Sequence, residues 1–268
     1  MAFLAASEPF SFELTTGRFR VFGPDKATLW EDGAVYRAVG GRELRIAPAE
    51  GGVEAEPLDA DTESVVRQLL GFDFDLVAFS AWAADEELLA PLVVRFAGFR
   101  PSLAPDPFEA LVTSITAQQV SLFSAVAIRN RLVERFGERV ERAWVFPTRE
   151  RLAAASEDEL FSAGFSRRKA EYVVGLARSD LDLASLVLLP DDEVKQRLVA
   201  VRGLGEWTAD WFLARHLGRP RAWPAGDLAV RKVVRALYGD VDVRAVGARF
   251  DPFQNLTAHY LLAQLLNP

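Results

Sequence analysis

The chain has 268 residues, half of them hydrophobic, with 31 Lys/Arg against 38 Asp/Glu for a net charge of −7. That is enough apolar material for a large core divided into two or three compact subdomains, and it excludes a disordered chain. The absence of cysteine excludes disulfides, thiolate zinc sites and iron–sulfur clusters, and with only His216 and His259 a histidine-rich metal site is not expected.

In chain order, residues 10–56 read as β structure. Phe10, Phe12 and Leu14 alternate with Ser11 and Glu13, and Phe19, Val21 and Phe22 follow Gly17 as a second expected strand. Asp32-Gly33 and Gly40-Gly41 each separate two apolar runs, the signature of tight hairpins, so an antiparallel meander is predicted. Helical spacing then takes over, with Val65, Val66, Leu69 and Leu70 on one face and Leu88, Leu89, Leu92, Val93 and Phe96 on another. The acidity is local: residues 1–100 carry 9 Lys/Arg against 17 Asp/Glu, and the remainder carries 22 against 21.

Asp106-Pro107-Phe108-Glu109 starts a helix in the capping-box pattern, with proline at its first position and Glu109 expected to reach back to the cap. Phe108, Leu111, Val112 and Ile115 face inward, and after Thr116-Ala117-Gln118-Gln119-Val120-Ser121 a long helix runs through Phe136 to Gly137. Two short helices are expected within 148–178, the first opened by Ser156 and Glu159 and the second by Ser166.

Residues 190–235 organise the rest. Val194, Leu198 and Val201 recur at helical spacing after Pro190, Gly203-Leu204-Gly205 breaks the helix, and a second helix carries Trp207, Trp211, Phe212 and Leu217. This is a helix–hairpin–helix over about 191–217. Its glycines permit a tight turn and leave amide N–H groups uncovered at a helix N-terminus, an arrangement that suits a phosphate. Seven basic residues against three acidic ones within 198–235 make a modest basic footprint. Asp227 follows Trp223-Pro224-Ala225-Gly226 and enters a further helix through Leu228, Val230, Val233 and Val234. Taken alone, Gly-Leu-Gly is a common turn and Asp227 an N-cap; their spacing makes the pair informative. Phe250, Phe253, Leu256, Tyr260, Leu261 and Leu265 read as a closing core helix, with His259 a packing histidine.

Hairpin, Gly/Pro-rich loop and aspartate together resemble the helix–hairpin–helix DNA glycosylase superfamily, and DPFEALVTSITAQQVS resembles its corresponding segment. Trp207 is shared with the alkylated-base branch, the 3-methyladenine DNA glycosylase II group, whose extra β-rich domain the first hundred residues also resemble. The resemblance implies an α+β fold, with an N-terminal antiparallel β domain over 1–100 and a mostly α-helical, two-lobed glycosylase domain over 101–268. It implies Asp227 as the catalytic carboxylate, Gly203, Gly205 and Thr208 as the phosphate grip, and Gln119 as the side chain filling the gap left by an extruded nucleotide. Trp207, Trp211, Leu228 and Phe253 are the implied base pocket. Leu228 departs from the branch, which has an aromatic residue there.

Relatives that also cut the DNA backbone carry a nucleophilic lysine where this chain has Trp207, so the resemblance implies water as the nucleophile, an abasic product and no lyase activity. No organic cofactor or catalytic metal is implied, only a monovalent cation on the main-chain carbonyls of Val199, Val201 and Leu204. The expected partner is damaged double-stranded DNA, met by a monomer. MAFLAASEP lacks a basic n-region, and no apolar run is long enough to span a bilayer, so a cytoplasmic location is expected. Two alternatives stay open: a glycosylase of this fold for oxidised or deaminated bases, and a non-catalytic helix–hairpin–helix DNA-binding protein.

Overall fold

The computed structural model describes residues 2–266. Its antiparallel sheet comprises β1 (Ala2–Ala5), β2 (Leu29–Glu31), β3 (Ala34–Val39), β4 (Arg42–Ala49) and β5 (Gly52–Glu56), in the order β1-β5-β4-β3-β2. The Asp32-Gly33 hairpin forms as expected: both residues adopt positive φ (49° and 76°), the conformation that lets a two-residue turn follow the strand twist. Opposite residues Val35, Ile46 and Ala55 share one face of the sheet, which α3 (Ala60–Leu69) covers with Val66 and Leu69. Arg37 lies on that same face of β3, and it is buried.

The segment expected to open the meander is helical instead. Phe12–Thr16 forms α1 and Arg18–Val21 forms α2, while the sheet takes its outer strand from β1. The alternation of Phe10, Phe12 and Leu14 is too short to fix a period. Ser11 decides locally: its side chain accepts from the Leu14 amide as an N-cap, and Thr16 donates its hydroxyl to the Phe12 carbonyl.

The helices continue as α4 (Leu76–Ala83), α5 (Ala90–Arg95), α6 (Pro107–Ala117) and α7 (Leu122–Phe136), followed by a short ribbon, β6 (Glu138–Val140) and β7 (Ala143–Val145). Then come α8 (Arg149–Ala153), α9 (Glu157–Ser162) and α10 (Arg167–Arg178), so 148–178 holds one short helix more than expected; Thr148 caps α8. A 3-10 turn at Ala184–Leu188 leads to α11 (Asp191–Val199) and α12 (Glu206–Arg215), and α13 (Leu228–Tyr238), α14 (Val243–Ala248) and α15 (Gln254–Leu266) close the chain.

Two cores result. The sheet core ends at Phe72, and from Leu76 onward the apolar side chains of α4 and α5 join the larger helical core. α12 runs through the middle of that core, with Thr208 to Ala214 all buried. A helix buried on every side needs no apolar stripe. Burying a side chain such as Phe212 contributes roughly 1.5–3 kcal/mol. Among the described residues no helix is long and apolar enough to cross a membrane.

The two cores are joined by charge. Asp106 caps α6 by accepting from the Glu109 amide at 2.7 Å, but Glu109 does not reach back to complete the expected capping box. Its buried carboxylate instead accepts from Arg37 of β3 and from Arg129 of α7, the latter at 2.6 Å, and Arg129 also pairs with Asp25 at 2.8 Å. Burial alone would raise the Glu109 carboxyl, but the charges of Arg37 and Arg129 outweigh it and hold the group at about 2.

Candidate active site

The turn between α11 and α12 is built on glycine. Gly203 has φ +95°, and a Cβ there would lie 2.3 Å from the ring of Tyr172 on α10, so any side chain would displace that packing. Gly205 is the N-cap of α12 with nothing within 4 Å of where a Cβ would stand, which leaves the amides at the start of α12 open to solvent. Lys195 and Asp210 pair across the two helices at 2.6 Å. The Val201 carbonyl accepts from the Leu204 amide at 3.0 Å, whereas no backbone N–H among the described residues donates to the carbonyls of Val199 or Leu204. Two unpaired carbonyls beside one turn fit the needs of a hard cation.

Thr208 departs from its expected place. It is 1% exposed, and its hydroxyl faces Gln118 at 3.5 Å, so its side chain supports the turn from below and does not meet solvent. Gln118 also donates from Nε2 to the Gly203 carbonyl at 2.9 Å, and Lys169 donates to the Thr116 carbonyl at 2.9 Å. The first bond fastens the α6–α7 turn to the hairpin and the second fastens it to α10. At the tip of that turn Gln119 takes positive φ (55°) and is exposed, next to exposed Val120, Leu122 and Phe123.

Asp227 is the N-cap of α13, and its carboxylate accepts four hydrogen bonds. Oδ1 takes the amides of Ala229 (2.9 Å) and Val230 (3.1 Å), and Oδ2 takes the indole N–H groups of Trp207 (2.8 Å) and Trp211 (3.0 Å). All four donors are neutral, so the aspartate is fixed without an ion pair. The aspartate and both tryptophans line a cleft of about 830 Å³ between the helical lobes and α1–α2.

The expected pocket is only partly assembled. Trp207 is half-buried on the cleft wall, but Trp211 is 5% exposed and Arg215 lies over its ring at 3.8 Å. Leu228, 79% exposed at the start of α13, is not on the cleft. Phe253 is not either: its ring packs against Phe79 and Trp82 at 5.7 and 5.3 Å, an aromatic cluster of the core. The loop before α15 turns that ring inward, which its apolar spacing already favoured.

Arg215 and His259 line the cleft too, and sequence reasoning gave Arg215 no role in the site. A signal existed, because Trp207, Trp211 and Arg215 are spaced four apart and must share one face of α12. Arg215 donates from Nε to His259 Nε2 at 3.4 Å, which leaves His259 Nδ1 to donate to the Asn255 carbonyl at 2.9 Å. Burial, reinforced by the Arg215 charge, lowers His259 to about 3, so it is neutral. The basic footprint is narrower than its count suggests. Arg202, Arg219, Arg221 and Arg235 each have a carboxylate partner, while Arg231 and Lys232 are exposed on α13 close to Asp227 in sequence.

The model of the HhH-GPD superfamily of base excision DNA repair proteins matches residues 112–245, half of the chain. A DNA-3-methyladenine glycosylase of Bacillus subtilis is 31% identical over 180 residues, 64% of this chain and 59% of that protein. The chain thus spans less than two thirds of the length of this curated relative. Over nearly its whole length it is similar to a solved structure of 3-methyladenine DNA glycosylase from Archaeoglobus fulgidus, with TM-score 0.88, 28% identity, and 98% and 97% of the two chains covered. A Schizosaccharomyces pombe 3-methyladenine DNA glycosylase in complex with abasic DNA is similar at TM-score 0.58 and 26% identity, over 67% of this chain and 92% of that one. The matched stretch runs from α6 through the hairpin and Asp227 into α14, so site and family model coincide, and the chain belongs to the HhH-GPD superfamily of base excision DNA repair proteins.

Proposed function

We propose that the chain is a monofunctional DNA glycosylase that hydrolyses the N-glycosidic bond of alkylated bases, 3-methyladenine among them, and leaves an abasic site. The observation that carries this reading is Asp227, a carboxylate held by four neutral donors and facing the cleft. Cleavage of a glycosidic bond builds positive charge on the sugar as the base departs. A negative charge fixed beside that sugar stabilises the transition state.

The reading assigns the other parts as follows. The base must leave the duplex before its bond can be reached. Amides at the Gly203–Gly205 turn grip a phosphate at the start of α12, a monovalent cation sits on the carbonyls of Val199, Val201 and Leu204, and Gln119 fills the vacated stack. Exposed Phe123 and Leu122 widen that wedge with apolar surface. Trp207 offers the extruded base a half-open aromatic wall.

Water is the proposed nucleophile. None of the chain's four lysines lines the cleft; Lys26 and Lys195 are paired with Glu134 and Asp210, and Lys169 is tied to a carbonyl. The relatives named as 3-methyladenine glycosylases support the alkylated substrate, and the relative solved on abasic DNA supports DNA as the partner. Wedge, grip and carboxylate all lie on one copy, so a monomer suffices, and the reading includes a cytoplasmic, DNA-associated location.

The test is base release from N-methylated duplex DNA by wild type and Asp227→Asn, with strand breaks scored before and after alkali. Methylpurine release by wild type, with breaks only after alkali, is expected. Breaks without alkali would reveal an amine nucleophile, and equal release by Asp227→Asn would remove the aspartate from the chemistry.

A further inference from the structure

The cleft carries a charge pattern that an alkyl-base pocket does not require. Of its carboxylates, Glu13 is paired with Arg20 at 3.8 Å, Asp25 with Arg129, and Glu109 with Arg37 and Arg129. Two further arginines on the cleft, Arg18 and Arg215, form no ion pair with a carboxylate among the described residues, although Arg18 feels the charge of Asp25 and Arg215 that of Asp227. Asp227 is the remaining cleft carboxylate, and its oxygens are engaged by indoles and amides. The neutral His259 beside Arg215 adds no compensating charge.

Arg215 also occupies what a cationic base would seek. Its guanidinium carbon lies 3.8 Å from the centre of the Trp211 ring, so that face already holds a cation. Only its Nε–H is engaged, by His259; the four N–H groups on its two terminal nitrogens have no partner among the described residues. A planar fork of free donors on a cleft wall suits a carbonyl oxygen.

From this geometry we infer that Arg215 is a specificity-determining residue that extends the range of the cleft from cationic alkylated bases to neutral damaged bases bearing an exocyclic carbonyl oxygen. The inference rests on the glycosylase reading and specifies its substrate. A cationic base leaves with the glycosidic electron pair as a neutral molecule, and the attacking water, bonding to C1′, releases its proton to solvent. A neutral base leaves with the same pair as an anion, its negative charge spread onto the carbonyl oxygen, and the proton lost by the water ends on the departed base. Guanidinium donors on that oxygen stabilise the second departure and do nothing useful for the first.

The test uses duplexes carrying a single 1-methylguanine or 7-methylguanine, which share the same carbonyl and differ in methyl position and by one positive charge. Single-turnover release is measured with wild type, Arg215→Met and Arg215→Lys. Wild type is expected to release both. Arg215→Met lowers 1-methylguanine release about 100-fold, the effect of losing one aimed donor group, and leaves 7-methylguanine release close to wild type, while Arg215→Lys recovers part of the 1-methylguanine rate. Release of 7-methylguanine but not 1-methylguanine by wild type overturns the inference and leaves the glycosylase reading standing. Equal loss of both rates in Arg215→Met, without recovery in Arg215→Lys, reduces Arg215 to packing. Release of neither base by wild type removes the glycosylase reading and the inference with it.

Discussion

Asp227 and Glu109 line the same cleft and occupy similar places in their helices, one as the N-cap of α13 and the other in the first turn of α6. Glu109 is held by two arginines, one from the sheet and one from α7, and its charge is neutralised where it stands. Asp227 is held by two indoles and two amides, and no cation bonds its carboxylate, although Arg215 feels its charge across Trp211. An acid fixed by cations serves the fold, because its field is cancelled within a few ångströms. An acid fixed by neutral donors keeps its field available to a charge that appears only during reaction. Carboxylate position alone would not separate the two roles; the donors do.

Removing each acid separates them most sharply. Glu109→Gln leaves Arg37 and Arg129 buried without their shared partner and is expected to cost about 3–5 kcal/mol of stability, read as a lower denaturation midpoint in urea, with base release persisting below that midpoint. Asp227→Asn, which can still cap α13, is expected to melt close to wild type while losing about 10²–10³-fold in single-turnover base release. A variant of either acid that lost stability and rate in proportion would collapse the distinction. Replacing a donor is the finer cut: Trp207→Phe keeps the ring and removes one indole N–H from Asp227, and a loss of about 10-fold in base release is expected from a hydrogen bond to a charged group. An unchanged rate would mean that the indole bond does not tune the aspartate.

A further separation lies in pH. Glu109, held at about 2 against an ordinary 4.5, contributes stability that is complete above pH 4.5 and is lost as pH falls from there toward 2. His259 titrates in a separate window. Burial first, then Arg215, lowers it to about 3, so the unfolded chain takes up a proton below pH 6.5 that the folded chain refuses, and stability declines from pH 6.5 toward 3. Unfolding midpoints across pH 3–8 should therefore fall in two stages, with Glu109→Gln flattening the lower one and His259→Gln the upper one.

The hairpin and Asp227 were legible in the sequence because they are local. Gly-Leu-Gly, Pro224 and Gly226 punctuate the chain regardless of what packs on them, and the two-residue turns at 32–33 and 40–41 are equally self-contained. Phe10–Phe22 was not legible, since five alternating residues fit a strand or a short capped helix and the cap at Ser11 decided. The site was half legible. Trp207 and Trp211 fall where expected on α12, but the sequence does not say that their N–H edges turn to Asp227, nor that Arg215 covers the face of Trp211. The joining of Glu109 to Arg37, 72 residues away, is a tertiary fact that no local pattern encodes. Leu228 and Phe253 were carried by resemblance alone, and the backbone turned one outward and the other inward.

Gln118 bonded to the Gly203 carbonyl joins the Gln119 turn to the hairpin, and Lys169 of α10 on the Thr116 carbonyl braces that turn, making one rigid piece. In the proposed complex that piece is a caliper with a fixed jaw: the span between the side chain entering the stack and the amides gripping the backbone is set before DNA arrives. The duplex then supplies the deformation, and steps that unstack and bend at low cost fit the jaw where stiff ones do not. Lesion search would be biased by the mechanics of the flanking sequence before any base reached the cleft.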